Sequence, residues 1–176
     1  MPIRPFSAGR HSNHVRASED IEQAVEVHGA TVWRVCVLHF GQGPDAQDAF
    51  QDTFVKYTLA DTQFDGDEHR KAWLIRVATN VCKDMHKAAH RRNVPLEDAP
   101  GLEPAAASDA AAQPASATSD VVDALRTLTD PPRTPVFLSL YFGYTASEIG
   151  QMLDAPVGTV YSWIARGKKQ LKEALA

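Results

Sequence analysis

The sequence predicts an all-α protein: two small helical domains joined by a flexible linker. Three observations carry that prediction. Apolar residues recur at helical spacing from about Glu19 to Arg92 and again from Asp120 to Leu175. Between them, from Val94 to Ser119, the chain turns abruptly to Ala, Pro, Ser and acid. Helix start and stop signals punctuate both periodic segments. The expected division is a mobile tail over 1–18, a first domain over 19–93, a linker over 94–119 and a second domain over 120–176.

Composition bounds the rest. The chain has 176 residues, 44% of them hydrophobic, which suffices for a folded core in one medium or two small domains. The formal net charge of -4 disfavours a polyanionic partner for the chain as a whole. Its distribution does not, because acid collects in Asp45–Glu68 and Glu97–Asp120 while base collects in Lys83–Arg92 and Arg166–Lys172. Cys36 and Cys82 lie in apolar helical patterns without metal-ligand spacing and read as reduced core residues. The N-terminal stretch has no apolar signal core and no later run approaches a membrane span, so a cytoplasmic protein with no direct membrane insertion is expected.

Taken in order, Met1 to Ser18 lacks apolar periodicity. A first helix is expected from Ser18-Glu19-Asp20 to Gly41-Gln42-Gly43-Pro44, with Ile21, Val25, His28, Val32, Val35 and His39 on its inner stripe and Trp33 and Cys36 widening it. His28 and His39 read as packing residues in preference to metal ligands. Asp45 is placed as the cap of a second helix that runs to about Ala60. Its buried side is Ala46, Ala49, Phe50, Thr53, Phe54 and Tyr57, and its opposite face carries Asp45, Asp48, Gln51, Asp52 and Val55. Such an acidic face is either solvated or docked on a basic partner helix. Asp61–Glu68 is a loop with Gly66 permitting a turn and Phe64 its only aromatic.

The third helix, His69 to Arg92, has Leu74, Val77, Ala78, Val81 and Met85 on one stripe. Arg76, Asn80, Lys83 and Lys87 lie opposite, ending in a Lys87, His90, Arg91 and Arg92 cluster. That face suits a polyanion, with Asn80 chemically able to read a base edge; taken alone it is better explained as a solvated face. The linker that follows cannot bury enough surface to offset its ordering entropy. It reaches roughly 85 Å fully stretched and about 30 Å as a coil. Two domains so joined can occupy sites about two turns of B-DNA, roughly 70 Å, apart.

In the second domain Asp120 is placed as the cap of a short helix with Val121, Val122, Leu125 and Leu128, stopped near Pro131-Pro132. Pro135 suits the first turn of the next helix, whose Val136, Phe137, Leu140 and Tyr141 are packing candidates. Thr145-Ala146-Ser147-Glu148 forms a capping box opening a helix with Ile149, Met152 and Leu153 inward. After the break Asp154-Ala155-Pro156, Val157 to Leu175 presents Val160, Ile164, Gly167 and Leu171 inward and Thr159, Ser162, Arg166 and Lys169 outward. This is a helix-turn-helix pattern, a geometry that scaffold hairpins share.

No glycine-rich phosphate loop, HExxH, CxxC or nucleophile elbow occurs, and the acidic run lacks EF-hand spacing. A binder without catalytic residues, cofactor or metal is expected.

Three stretches then carry a resemblance: DAQDAFQDTFVKY, EHRKAWLIRVATNVCKDMHKAAHRR and YTASEIGQMLDAPVGTVYSWIARGKKQLKE. In this order across a linker they resemble the extracytoplasmic-function (ECF) sigma factors of bacterial RNA polymerase. The resemblance covers about Glu19–Arg92, as sigma region two, and Asp120–Ala176, as region four. It implies a sigma factor that binds core RNA polymerase and directs promoter recognition, promoter melting and transcription initiation, with no enzymatic activity of its own. Asp48, Gln51, Asp52 and Phe54 are implied to meet the clamp helices of the beta-prime subunit. The loop Asp61–Lys71, with Phe64, Arg70 and Lys71, is implied to capture a flipped single-stranded base. The helix bearing Trp73, Arg76, Asn80, Lys83, Lys87, Arg91 and Arg92 is implied to read the minus-ten element. Thr145, Thr159, Tyr161, Ser162, Trp163, Arg166 and Lys169 are implied to read the minus-thirty-five element in a domain that also docks on the beta flap. An anti-sigma factor is a usual further partner. The chain departs from the family at Tyr161-Ser162-Trp163, where basic residues more often flank the serine, at Gly167 in place of alanine, and at Thr134-Pro135. The rival reading is a helix-turn-helix regulator that acts without docking on polymerase.

Overall fold

A computed structural model describes residues 15–93, 117–128 and 133–176. Most of the expected tail and linker, and the Pro131-Pro132 stop, lie outside the described residues. Those residues form seven helices: α1 (Ser18–Phe40), α2 (Pro44–Leu59), α3 (Asp67–Asn93), α4 (Ala117–Arg126), α5 (Arg133–Phe142), α6 (Ala146–Leu153) and α7 (Val157–Ala174).

The first three pack as a bundle in which each helix touches the other two. The inner side of α2 is the expected one: Ala46, Ala49, Thr53, Phe54 and Tyr57 are buried. On α1 the stripe shifts, because Ala24, Gly29 and Leu38 turn inward while Val25 is exposed. The α3 core is wider than its predicted stripe, adding Ala72, Trp73, Ile75, Thr79 and Cys82 to Leu74, Ala78 and Val81. Such a helix touches α1 and α2 together, so more than one stripe is covered. Thr79 removes its hydroxyl from the apolar surroundings by donating to the Ile75 carbonyl at 2.8 Å. His28 is a packing residue, as expected, and its Nε2 lies 3.0 Å from Asp67 Oδ1, tying α1 to the first turn of α3. Cys36 and Cys82 are buried thiols.

Helix starts account for most of the corrections. Asp45 does not cap α2; Gly43 precedes it and Pro44 takes the first position, where a fixed φ and a missing N–H are no loss. Ser18 is likewise the first residue of α1, after Ala17. Asp120 lies inside α4, which begins at Ala117, three residues into the expected linker. The expected tail ends sooner than Ser18, since Arg16 is anchored against α2.

Helices α4–α7 close around Val122, Leu125, Leu128, Val136, Phe137, Leu138, Ile149, Met152, Val160 and Ile164. On α5, Leu138 takes an inward place and Leu140 is exposed. The capping box forms as predicted: the Glu148 N–H donates to Thr145 Oγ1 and the Thr145 N–H donates to Glu148 Oε2 at 2.8 Å. Asp154 ends α6 in the left-handed conformation at φ 54°, and the Ala155 N–H donates back to the Gly150 carbonyl at 2.9 Å. This turn is so tight that a Cβ on Gly150 would lie 2.7 Å from the Ala155 carbonyl oxygen.

The two units are also in contact, α4 against α1 and α6 against α3. At this seam His39 Nε2 lies 3.1 Å from Thr134 Oγ1, both residues buried. The Arg34 guanidinium sits 5.5 Å from the Tyr141 ring centre, and Lys71 Nζ sits 5.1 Å from that of Phe142 and 5.7 Å from that of Tyr144. Burial, reinforced by the nearby Glu68 and Glu148 carboxylates, pushes the Tyr144 phenol up to about 12, so it stays neutral at the seam.

The Gly150 contact gives a direct test of the turn. Gly150→Ala is expected to lower unfolding stability by about 1–3 kcal/mol, since a backbone oxygen rather than a flexible side chain must move. The exposed neighbour Ser147→Ala is expected to stay within about 0.5 kcal/mol. Denaturant titration of both variants measures the difference, and an unchanged Gly150→Ala midpoint would contradict the geometry.

Candidate nucleic-acid and polymerase interfaces

The bundle core orients α3 so that its polar stripe faces away from α1 and α2. Asn80, Lys87, Arg91 and Arg92 are exposed, and Arg76 and Lys83 are half-buried. From Arg76 to Lys87 the stripe spans ~16 Å at 1.5 Å per residue, long enough to follow several phosphates. The arrangement offers cations for a backbone and one amide that donates and accepts at once, the chemistry that a base edge requires.

Two residues expected on this surface turn inward instead, Trp73 into the core and Arg70 into a half-buried ion pair. Trp73 is 9% exposed and packs edge-on against Tyr57 and Phe64 at ring separations of 5.9 and 5.7 Å. Arg70 reaches inward, its guanidinium 3.4 Å from Asp20 Oδ1. An indole this large on a three-helix bundle is worth more as buried area than as an exposed ring. Phe64 is half-buried, its ring stacked on Tyr57 at 5.9 Å, and Lys71 lies in the seam described above. The loop therefore presents Asp61, Gln63, Asp65 and Gly66 to solvent, while its aromatic residue points back into the bundle.

On α2, Asp48, Gln51 and Asp52 are exposed together, with Val55 beside them at 55% exposure. Phe54 belongs to the opposite side, 7% exposed, so it shapes the helix from beneath and offers no docking surface. The outward face thus pairs carboxylates with one apolar side chain, a combination suited to a basic helix with an aliphatic contact.

In the second unit α6 and α7 present the helix-turn-helix surface. Thr145, Tyr161, Ser162, Arg166 and Lys169 are exposed, Tyr161 at 64%. Thr159 is half-buried, and Trp163 is half-buried and packed on the core, which leaves only part of its ring to a partner. Ser162 Oγ donates to the Gly158 carbonyl at 3.2 Å, and Lys169 Nζ lies 3.9 Å from Glu173, an exposed pair of small energetic weight. Thr145 is committed to the capping box.

Sequence reading missed Arg16 and Asp20, which meet Tyr57 and Arg70 beneath the loop. The available signal was their i, i+4 spacing at the start of α1. Their contacts with α2 and α3 are set by tertiary packing. Among the described residues no group of three or more His, Cys, Asp and Glu could hold a metal, and no helix is long and apolar enough to cross a membrane.

Comparison with known proteins places this geometry. Residues 24–92 match the family model for Sigma-70 region 2 and residues 119–171 that for Sigma-70, region 4. The chain is 31% identical over 141 residues to the RNA polymerase sigma-H factor of Pseudomonas aeruginosa, covering 74% of this chain and 73% of that protein. It is 24% identical over 161 residues to the ECF RNA polymerase sigma factor SigW of Bacillus subtilis, covering 86% of each. Solved structures share the fold: CnrH in complex with the cytosolic domain of CnrY (TM-score 0.60, 23% identity, 90% of this chain and 89% of that one), and RpoE with the anti-sigma factor NepR from Bartonella quintana (TM-score 0.65, 18% identity, 89% and 97%). Both matched segments, in this order, on an all-helical two-domain fold, mean that the chain belongs to the ECF subfamily of sigma-70-type sigma factors, non-enzymatic initiation factors that bind core RNA polymerase and direct promoter recognition, melting and transcription initiation.

Proposed function

We propose a division of that activity among the surfaces described. The outer face of α3, through Arg76, Asn80, Lys83, Lys87, Arg91 and Arg92, reads the minus-ten element, and the loop before it captures a base that leaves the stack. Asp48, Gln51 and Asp52, with Val55, dock on the beta-prime clamp helices. Tyr161, Ser162, Arg166 and Lys169 meet the minus-thirty-five element, and the same domain docks on the beta flap. Trp73, Phe54 and Arg70 support these surfaces from within. The first domain ends at residue 93 and the second begins at residue 117, where α4 starts. The site of action is the cytoplasm, and a regulatory anti-sigma factor is the expected further partner.

The observation that carries this reading is the two-sidedness of α3: one face is bundle core, and the other carries a row of cations and one amide with the single carboxylate Asp84 at its edge. A merely solvated helix has no need for that amide between cations or for an acidic docking face on its neighbour. Lys71 fits the reading with one condition. It lies against Phe142 and Tyr144, so contact with DNA requires the two units to part at the seam.

Alanine at Arg76, Asn80 and Lys83 together is expected to lower open-complex formation by about tenfold or more while leaving core-polymerase affinity nearly intact. Permanganate footprinting beside a core-binding titration measures both, and an equal loss in the two would make the face structural. Charge reversal at Asp48 and Asp52 is expected to weaken core binding by roughly tenfold or more with the helical circular dichroism unchanged. Undiminished retention on immobilised core polymerase would remove the clamp assignment.

A further inference from the structure

Arg16 precedes the segment matched as region two, which begins at residue 24. Its side chain is nonetheless only 8% exposed. The Arg16 N–H donates to the Thr58 carbonyl at 3.0 Å and Nε donates to the Tyr57 carbonyl at 2.9 Å. Both carbonyls belong to the last turn of α2, where intrahelical donors run out and a cation is favoured. The far end of the guanidinium donates to the Thr62 carbonyl in the loop. Its flat face lies 4.5 Å from the ring centre of Tyr57 and 5.0 Å from that of Phe64. One side chain thus grips the end of α2, the backbone of the loop and the loop's aromatic ring.

The grip is itself braced. Asp20 accepts from Arg16 at 3.2 Å and from the Tyr57 hydroxyl at 3.1 Å, and its Oδ1 lies 3.4 Å from the Arg70 guanidinium. Burial, with the Asp20 carboxylate, pushes the Tyr57 phenol up, against the two guanidinium groups that pull it down. Two cations, one carboxylate and a neutral phenol interlock α1, α2 and α3 directly under Asp61–Gly66. The planar fork matters here, because a lysine ammonium has no geometry that reaches the Tyr57 and Thr62 carbonyls at once while covering two rings.

We propose that Arg16 is the positioning residue of the base-capturing loop, holding Thr62 and Phe64 so that an unstacked base meets a preformed surface. Preorganisation of this kind spares the ordering cost of binding and shows as sharper discrimination at the captured base. The inference rests on the reading of the loop as the capture element.

The test is selection of single-stranded DNA from a randomised pool by holoenzyme assembled from core polymerase and the full chain. Wild-type holoenzyme should enrich a defined motif containing one strongly preferred position. Arg16→Gln should cut the preference at that position by about tenfold, with neighbouring preferences and core affinity unchanged. Arg16→Lys should lose most of the same preference despite keeping the charge. A uniform fall at every position, a fall in core affinity, or full retention by the lysine variant would overturn the proposal. A wild-type holoenzyme that selects no base would overturn the reading of the loop itself, and the proposal with it.

Discussion

Burial of the inner side of α3 is the constraint on which the other features depend. Ala72, Leu74, Ile75, Ala78 and Cys82 are fully removed from solvent by α1 and α2. Each large aliphatic side chain so buried contributes roughly 1.5–3 kcal/mol. That packing fixes the rotation of the helix, and rotation decides which side chains face outward. A turn of α3 by one residue, about 100°, would carry the whole row of Arg76, Asn80, Lys83 and Lys87 toward the bundle and bring Thr79 toward water. Placement of the polar, cation-bearing stripe is therefore a consequence of hydrophobic packing, and the polar residues follow it.

Charge is partitioned on the same scaffold. The acidic face of α2 and the basic face of α3 belong to one bundle, yet they serve different partners in the proposed division. This separation reconciles a net charge of -4 with a promoter-binding protein, because the partner senses the local field. The seam between the two units draws on the same residues. Lys71 and Arg34 rest there on the aromatic side chains Phe142, Tyr144 and Tyr141. Aromatic faces suit a cation held near a low-dielectric contact and are lost at little polar cost when it opens.

Much of this was legible in the sequence, and the limits have physical causes. The buried side of α2 and the helix-turn-helix were readable because period and capping chemistry are local: Thr145 and Glu148 meet within a single turn. Helix starts were misread at Asp45 and Asp120 because proline competes for the first position and because acid in a first turn looks like a cap. Trp73 and Phe54 were placed on working surfaces by resemblance, whereas their volume drives them into the core. Arg70 and Arg16 were beyond reach for another reason. The family motif points to a charged residue near the loop, but only tertiary packing brings Asp20, Tyr57 and the two arginines together. The wider burial on α3 has the same origin, since no single stripe in a sequence reports two neighbouring helices.

The central claim is that this chain confers promoter-specific initiation on core polymerase through two DNA-reading units. Transcription by purified core polymerase with the purified chain, on a library of promoter fragments, tests it most directly. The account predicts transcripts that start at a fixed distance from a shared pair of elements and vanish when either element is scrambled. Binding of the chain to duplex DNA by itself, with no transcript from any fragment, would contradict it.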